Sequence, residues 1–431
     1  MRTGLPKVTT KNLRYIANTA MQTILRGVPP VVHPEKAANS LFCKAREDES
    51  GVLAVPSMRR AFFAALLCAA AQALTAAPEA KETTLSGQKA VVLSNACLRA
   101  TVVPGTMGTL AGLRWLPGKC ELFGPYKYTR ETINELLPDK QTVTVRGNRT
   151  LFWNGTVLFY QPLGKYEIRR EKNAVSLAMT GRFIGGFPVL LTRVLTLKEG
   201  SSSIGIAVTV SNFGKEPQEI RLWEHLVADP AGEVPDVSLI AGPGVRRLGR
   251  YQDTEKHKGG TLVTDTFRDG NLSRFIVPGA DWIAATGGKS LLTVFLRAKA
   301  EDLAEDGFFY TWKDAASKMH TAEILLRRIS LQPGESRTFE LELGVLSGLA
   351  VLRRLEGDHG FDFKRSGGTL TWRAAVLQPV PAKKCLVSAG KWQKEFPLPA
   401  LRPGECAGGK ITGVPDLPDD AFAFRVADLK K

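Results

Sequence analysis

Arg221, Trp223 and His225 alternate along Glu219–Val227 (EIRLWEHLV). In an extended chain, alternate side chains share a face. An aromatic plane beside a guanidinium and an imidazole suits a sugar. The ring stacks, and the polar groups donate to hydroxyls or to a carboxylate. Ile220, Leu222 and Leu226 make the opposite, apolar row, which Glu224 interrupts. A second candidate is Glu323, in line with Thr321, Leu325 and Arg327. Apolar neighbours raise a carboxyl's pKa into the range that proton transfer needs. Pairing with Arg327 is the other outcome open to it. On a strand, His320 points away from Glu323, so the His-x-x-Glu spacing does not converge on a metal. Tyr310 and Trp312 also alternate, and they line either a glycan groove or a core.

Other chemistries lack their residues. There is no Gly-x-Ser-x-Gly nucleophile elbow and no Cys/His cluster at zinc spacing. Gly242-Pro243-Gly244 lacks the Lys-Ser/Thr of a phosphate loop. The expectation is therefore no metal and no cofactor. The chain has 431 residues and a formal charge of +16, with its basic residues scattered singly or in pairs. That pattern suits a solvated surface or an anionic glycan, and it does not predict nucleic-acid binding.

From residue 88 the dominant period is two, broken often by Gly, Pro and Asn, which predicts many short antiparallel strands. Clear cases are Leu98–Val103, Thr109–Trp115, Leu151–Tyr160, Val189–Leu197, Ile204–Ser211, Glu219–Val227, Ala322–Ile329 and Arg337–Gly344. Helices are expected only at Arg130–Leu137 and Leu349–Leu355. The expected fold is all-β. A large antiparallel sandwich over 88–345 is followed by a linker with a short helix over 346–368. A small immunoglobulin-like β-sandwich over 369–431 completes it.

Three stretches together resemble the galactose mutarotase-like superfamily. They are Asn95–Pro104 turning into Leu110–Trp115, the run Leu191–His225, and Leu331-Gln332-Pro333-Gly334-Glu335 leading into Phe339–Val345. The resemblance implies a large twisted β-supersandwich that handles carbohydrates. It also implies His225 as general acid and Glu323 as base. The family's Asn-x-Thr-x-His is here Arg221–His225, and its earlier His-Gly motif has no counterpart.

The N-terminal part places the protein. Met58-Arg59-Arg60, the apolar run Ala61–Leu74 and Ala71-Gln72-Ala73 have the order of a secretory signal peptide. Residues 58–77 are thus expected to be the signal. Residues 1–57 are expected to be a mis-assigned extension, with Met58 the natural start. The apolar run is too short for a stable membrane span. The mature protein is expected to be periplasmic or secreted. There, Cys97–Cys120 and Cys385–Cys406 are expected to pair as local disulfides. Two functions stay open. The first is an exported, non-catalytic carbohydrate-binding protein of the cell envelope. The second is a carbohydrate-active enzyme of epimerase, lyase or hydrolase type. In either case Arg221, Trp223, Arg327 and Trp312 hold the sugar. In the enzyme His225 and Glu323 are acid and base.

Overall fold

The computed structural model describes residues 77–124, 128–129, 142–143, 147–153, 158–159, 163–182, 188–244, 247–248, 251–252, 257–267, 272–315 and 318–428. The signal segment and the Arg130–Leu137 helix lie outside them. Among the described residues the fold is almost entirely antiparallel β. The only α-helix is the four-residue Ala300–Leu303, and no helix is long and apolar enough to cross a membrane.

Two large sheets face each other. The first has eleven strands. Its middle runs Thr109–Trp115, Gly147–Trp153, Leu222–Val227, Met319–Leu325 and Phe308–Asp314, and Leu272–Ile276 is the edge strand beyond them. The second has nine, with Val189–Lys198, Ser203–Asn212, Ser336–Ser347 and Leu292–Ala298 at its centre. Val189–Lys198 shows why these segments are strands. Its buried and half-buried residues alternate along its first nine positions, so one face enters the core and the other looks out. Leu98, Leu110, Leu195, Val208, Leu226, Ile324 and Leu343 meet between the sheets in one continuous apolar core.

The small sandwich has a four-stranded sheet (Arg354–Glu356, His359–Ser366, Thr369–Val376, Cys406–Thr412). A three-stranded sheet (Trp392–Leu398, Lys383–Ala389, Ala423–Asp428) packs on it. Phe361, Phe363, Trp372, Cys385 and Phe424 fill its core. It docks on the nine-stranded sheet, where Leu349, Leu352, Ala375 and Leu377 join Trp282, Phe295 and Leu346 in a separate apolar cluster.

Two expectations need correction. The Leu349–Leu355 helix does not form. Its apolar i, i+3 spacing is used to dock Leu349 and Leu352 on Trp282 and Phe295, and the chain enters the strand Arg354–Glu356. That strand pairs with His359–Ser366, and the first sheet opens with the strand Glu79–Leu85. The four cysteines are free thiols. The Cys97 thiol turns to the Gly200 carbonyl (3.5 Å). Cys385 packs into the small core, while the Cys406 thiol donates to Gly348 (3.6 Å) from the other sheet. Nearness in sequence did not bring the sulfurs together.

Candidate functional site

Leu222–Val227 pairs with Gly147–Trp153 on one side and Met319–Leu325 on the other. Its register sets His225 opposite both Arg149 and Glu323. Glu323 in turn faces Tyr310, and Tyr310 faces Phe275. Directly opposed residues of antiparallel strands point to the same side. Arg149, His225, Glu323, Tyr310 and Phe275 thus form one row across five strands. Leu222, Leu226, Ala322 and Ile324 point the other way, into the inter-sheet core. The row lies on the sheet face turned away from that core. Beside it, Trp223, Leu151, Leu325, Phe308, Phe275 and Met107 form a distinct apolar cluster with Tyr310 packed on it. The rings of Trp223 and Tyr310 meet edge to face at 5.2 Å.

The chemistry sits in the middle of the row. Nε2 of His225 is 3.6 Å from Oε1 of Glu323, and their side chains are 13% and 4% exposed. That gap is too long for a direct hydrogen bond, and a ligand oxygen seated to one side of the pair could lie within hydrogen-bond distance of both. Nη2 of Arg149 lies 3.4 Å from Nδ1 of His225. A guanidinium only donates, so Nδ1 accepts and the ring proton is on Nε2, towards Glu323. Burial, reinforced by the positive charge of Arg149, holds the His225 imidazole well below its ordinary pKa. Burial also pushes the Glu323 carboxyl up to about 8, against the opposing pull of hydrogen bonds from Thr321 and Trp223 and of the Arg149 charge. At neutral pH the couple is a neutral imidazole beside a protonated carboxyl.

Glu224, the residue that interrupts the apolar row in the sequence, finds its partner inside. Arg193 of the opposite sheet donates to its Oε1 at 2.7 Å, with both side chains fully buried. Asn148 donates to the same oxygen (2.8 Å) and Thr150 to Oε2 (2.6 Å). Asn148 is itself fully buried.

The expected sugar-holding residues separate. Trp223 and His225 lie two residues apart on Leu222–Val227 and share its face. Trp223 is only 7% exposed and belongs to the apolar cluster, so it is a floor rather than a free platform. Arg221 falls in a break between Gln218–Ile220 and Leu222–Val227. It is buried, and its guanidinium is bound to the carbonyl (2.6 Å) and the carboxylate of Asp306. It lies roughly 13 Å of extended chain from His225. Arg327 lies past the end of Met319–Leu325, its backbone NH donating to the Asp302 carbonyl (2.8 Å). Neither arginine joins the row. Trp312 stands two residues beyond Tyr310 on the same strand, half-buried, its NH bonded to Thr321 Oγ1 (2.9 Å).

Arg149 was missed. Its strand, expected from Leu151, starts at Gly147 and so includes Arg149. Extending the alternation back by two residues sets Arg149 with Leu151 and sets Asn148 with Thr150. His320 points inward as expected. With Lys313 (2.5 Å) and Thr311 (3.0 Å) it surrounds the buried Asp265 carboxylate. Among the described residues no group of side chains is arranged to hold a metal ion.

No protein-family model matches the chain, and no curated protein matches it. Among solved structures, the chain is similar to a galactose mutarotase-like protein from Clostridium acetobutylicum. The two are 11% identical with a TM-score of 0.44, over 63% of this chain and 99% of the other. It is also similar to a galactose mutarotase-like protein from Lactobacillus casei (10% identity, 59% and 99% covered, TM-score 0.41). A third is a galactose mutarotase related enzyme from Lactobacillus acidophilus (8% identity, 59% and 97% covered, TM-score 0.41).

Proposed function

We propose that this is an exported carbohydrate-active protein that transfers a proton at a sugar oxygen with His225 and Glu323. One observation carries the reading: the two groups meet on adjacent strands, 3.6 Å apart, outside the main core. A sugar ring oxygen seated beside the pair receives a hydrogen bond from Nε2 of His225. Below about pH 8 the Glu323 carboxyl gives its proton to that oxygen as its bond to the anomeric carbon breaks, and the carboxylate so formed takes the proton of the anomeric hydroxyl. Tyr310 and Trp312 flank the couple on the same strand. Arg149 is the charge nearest it, and it would face the carboxylate of a uronic sugar.

The test is exchange of the two anomers of a panel of neutral and uronic sugars, followed by NMR, together with a glycan array. His225→Ala and Glu323→Gln should each remove turnover and leave binding largely intact. The low exposure of both groups supports a second reading, a glycan-binding protein without turnover. Array binding with no exchange of any sugar would select that reading. No binding and no exchange would reject both.

A further inference from the structure

Arg193 belongs to the facing sheet, yet its guanidinium reaches three segments that build the site. It donates to the Gly108 carbonyl (2.8 Å), to Asn148 Oδ1 and to Glu224 Oε1 (2.7 Å). Gly108 follows Met107, whose side chain lies in the apolar cluster beside the row. Asn148 precedes Arg149, and Thr150, bound to Glu224 Oε2, follows it. Glu224 precedes His225. Asn148 also donates to the backbone carbonyl of His225 (3.2 Å). Successive side chains on a strand point to opposite faces. Residues anchored below the sheet therefore fix the height and tilt of the residues presented above it.

We propose that Arg193 and Glu224 are positioning residues. Their buried ion pair, with Asn148 and Thr150, sets the Gly147–Trp153 strand against Leu222–Val227 so that Arg149 donates to Nδ1 of His225 and turns the Nε2 proton to Glu323. The inference rests on the His225–Glu323 couple being the working site, but its test needs no sugar. The unpaired alternative is costly, because either charge left alone in the core is uncompensated. An apolar pair of similar size can restore packing while removing the hydrogen bonds. That difference separates positioning from mere stability.

The experiment is 15N NMR of the histidine side chains in the full chain, with His225 assigned by the loss of its signal in His225→Gln. In the unsubstituted protein His225 should be a single neutral tautomer with its proton on Nε2, at pH values well below an ordinary imidazole midpoint. Thr150→Val, which removes one hydrogen bond without changing the side-chain shape, should blur that tautomer preference. Arg193→Met with Glu224→Met together should recover the Tm lost by Arg193→Met alone. The same double variant should leave His225 a mixture of tautomers, titrating closer to the ordinary value. If it recovers Tm and keeps the single Nε2–H tautomer, the network is only structural and the proposal is overturned. Unsubstituted protein with the proton on Nδ1 would overturn it equally. Sugar exchange measured in parallel keeps the two readings apart. Exchange absent from the unsubstituted protein counts against proton transfer at the site and leaves the imidazole result to decide positioning.

Discussion

At the scale of single residues, the protonation of Glu323 is the sharpest property of the molecule. Its folded-state pKa, about 8, is raised above that of an unfolded carboxyl. The native state then binds the proton more tightly than the unfolded state. The stability this brings is complete below the ordinary carboxylate value and is lost as pH rises through about 8, at about 1.4 kcal/mol per pH unit within that window. Glu323→Gln mimics the protonated form. Denaturant unfolding from pH 5 to 9 should show little difference at pH 5 and a more stable variant at pH 9. Parallel curves for the two proteins would mean that Glu323 is ionised throughout. Trp223 belongs to the same scale. Its place among Phe275, Phe308 and Leu325 makes Trp223→Ala a core truncation, expected to cost about 3–5 kcal/mol. A Tm left unchanged would instead return Trp223 to the role of exposed sugar platform.

At the scale of elements, Met319–Leu325 serves two purposes on its two faces. Thr321 and Glu323 look outward beside His225. His320 looks inward, its Nδ1 2.8 Å from the Pro235 carbonyl and its Nε2 3.4 Å from Asp265. The neighbouring strand sends Lys313 to the same carboxylate, with both side chains buried. Burial pushes the Asp265 carboxyl up, but hydrogen bonds and charge from His320 and Lys313 more than offset it and leave it below the carboxylate range. A depressed folded-state pKa contributes stability above the unfolded value, lost as pH falls through the ordinary carboxylate range and below. Lys313→Met should cost about 3–5 kcal/mol near neutral pH by stranding the carboxylate. The penalty should shrink in acid, where the Asp265 carboxylate stranded in the variant takes up a proton. Equal penalties at pH 7 and pH 3 would show that the lysine acts by packing alone.

At the scale of the whole molecule, compartment and thiols are linked. We propose export from the order of charge, apolar core and small residues at 58–77. Edman sequencing of protein from its native host should begin near Leu74 or Pro78. A start at Met1 would end that proposal. In the mature chain the four thiols should differ in reactivity. Cys406 is exposed and should react first with a thiol reagent. Burial pushes Cys97 and Cys385 up to about 12, and they should react only on unfolding. Two protected pairs, with no free thiol even after unfolding, would restore the disulfide expectation.

The amino-acid sequence alone was enough for the all-β class, most strand positions and the outward pairing of Trp223 with His225. Period-two alternation is local, and a strand with one buried face must display it. Glu323 was also legible, as a carboxyl among apolar neighbours on a strand. Other features depended on register, which no single strand carries. Arg149 reaches His225 only because two strands 76 residues apart align there. Glu224 looked like a flaw in an apolar row until the facing sheet supplied Arg193. Arg221 fitted the pattern, yet Asp306 engages it. The Leu349–Leu355 spacing suited a helix, and a neighbouring sheet used it for docking instead. In each case a long-range partner outweighed a local preference. A buried charge must find its counter-ion, and an apolar side chain must find a surface, wherever in the chain that partner lies.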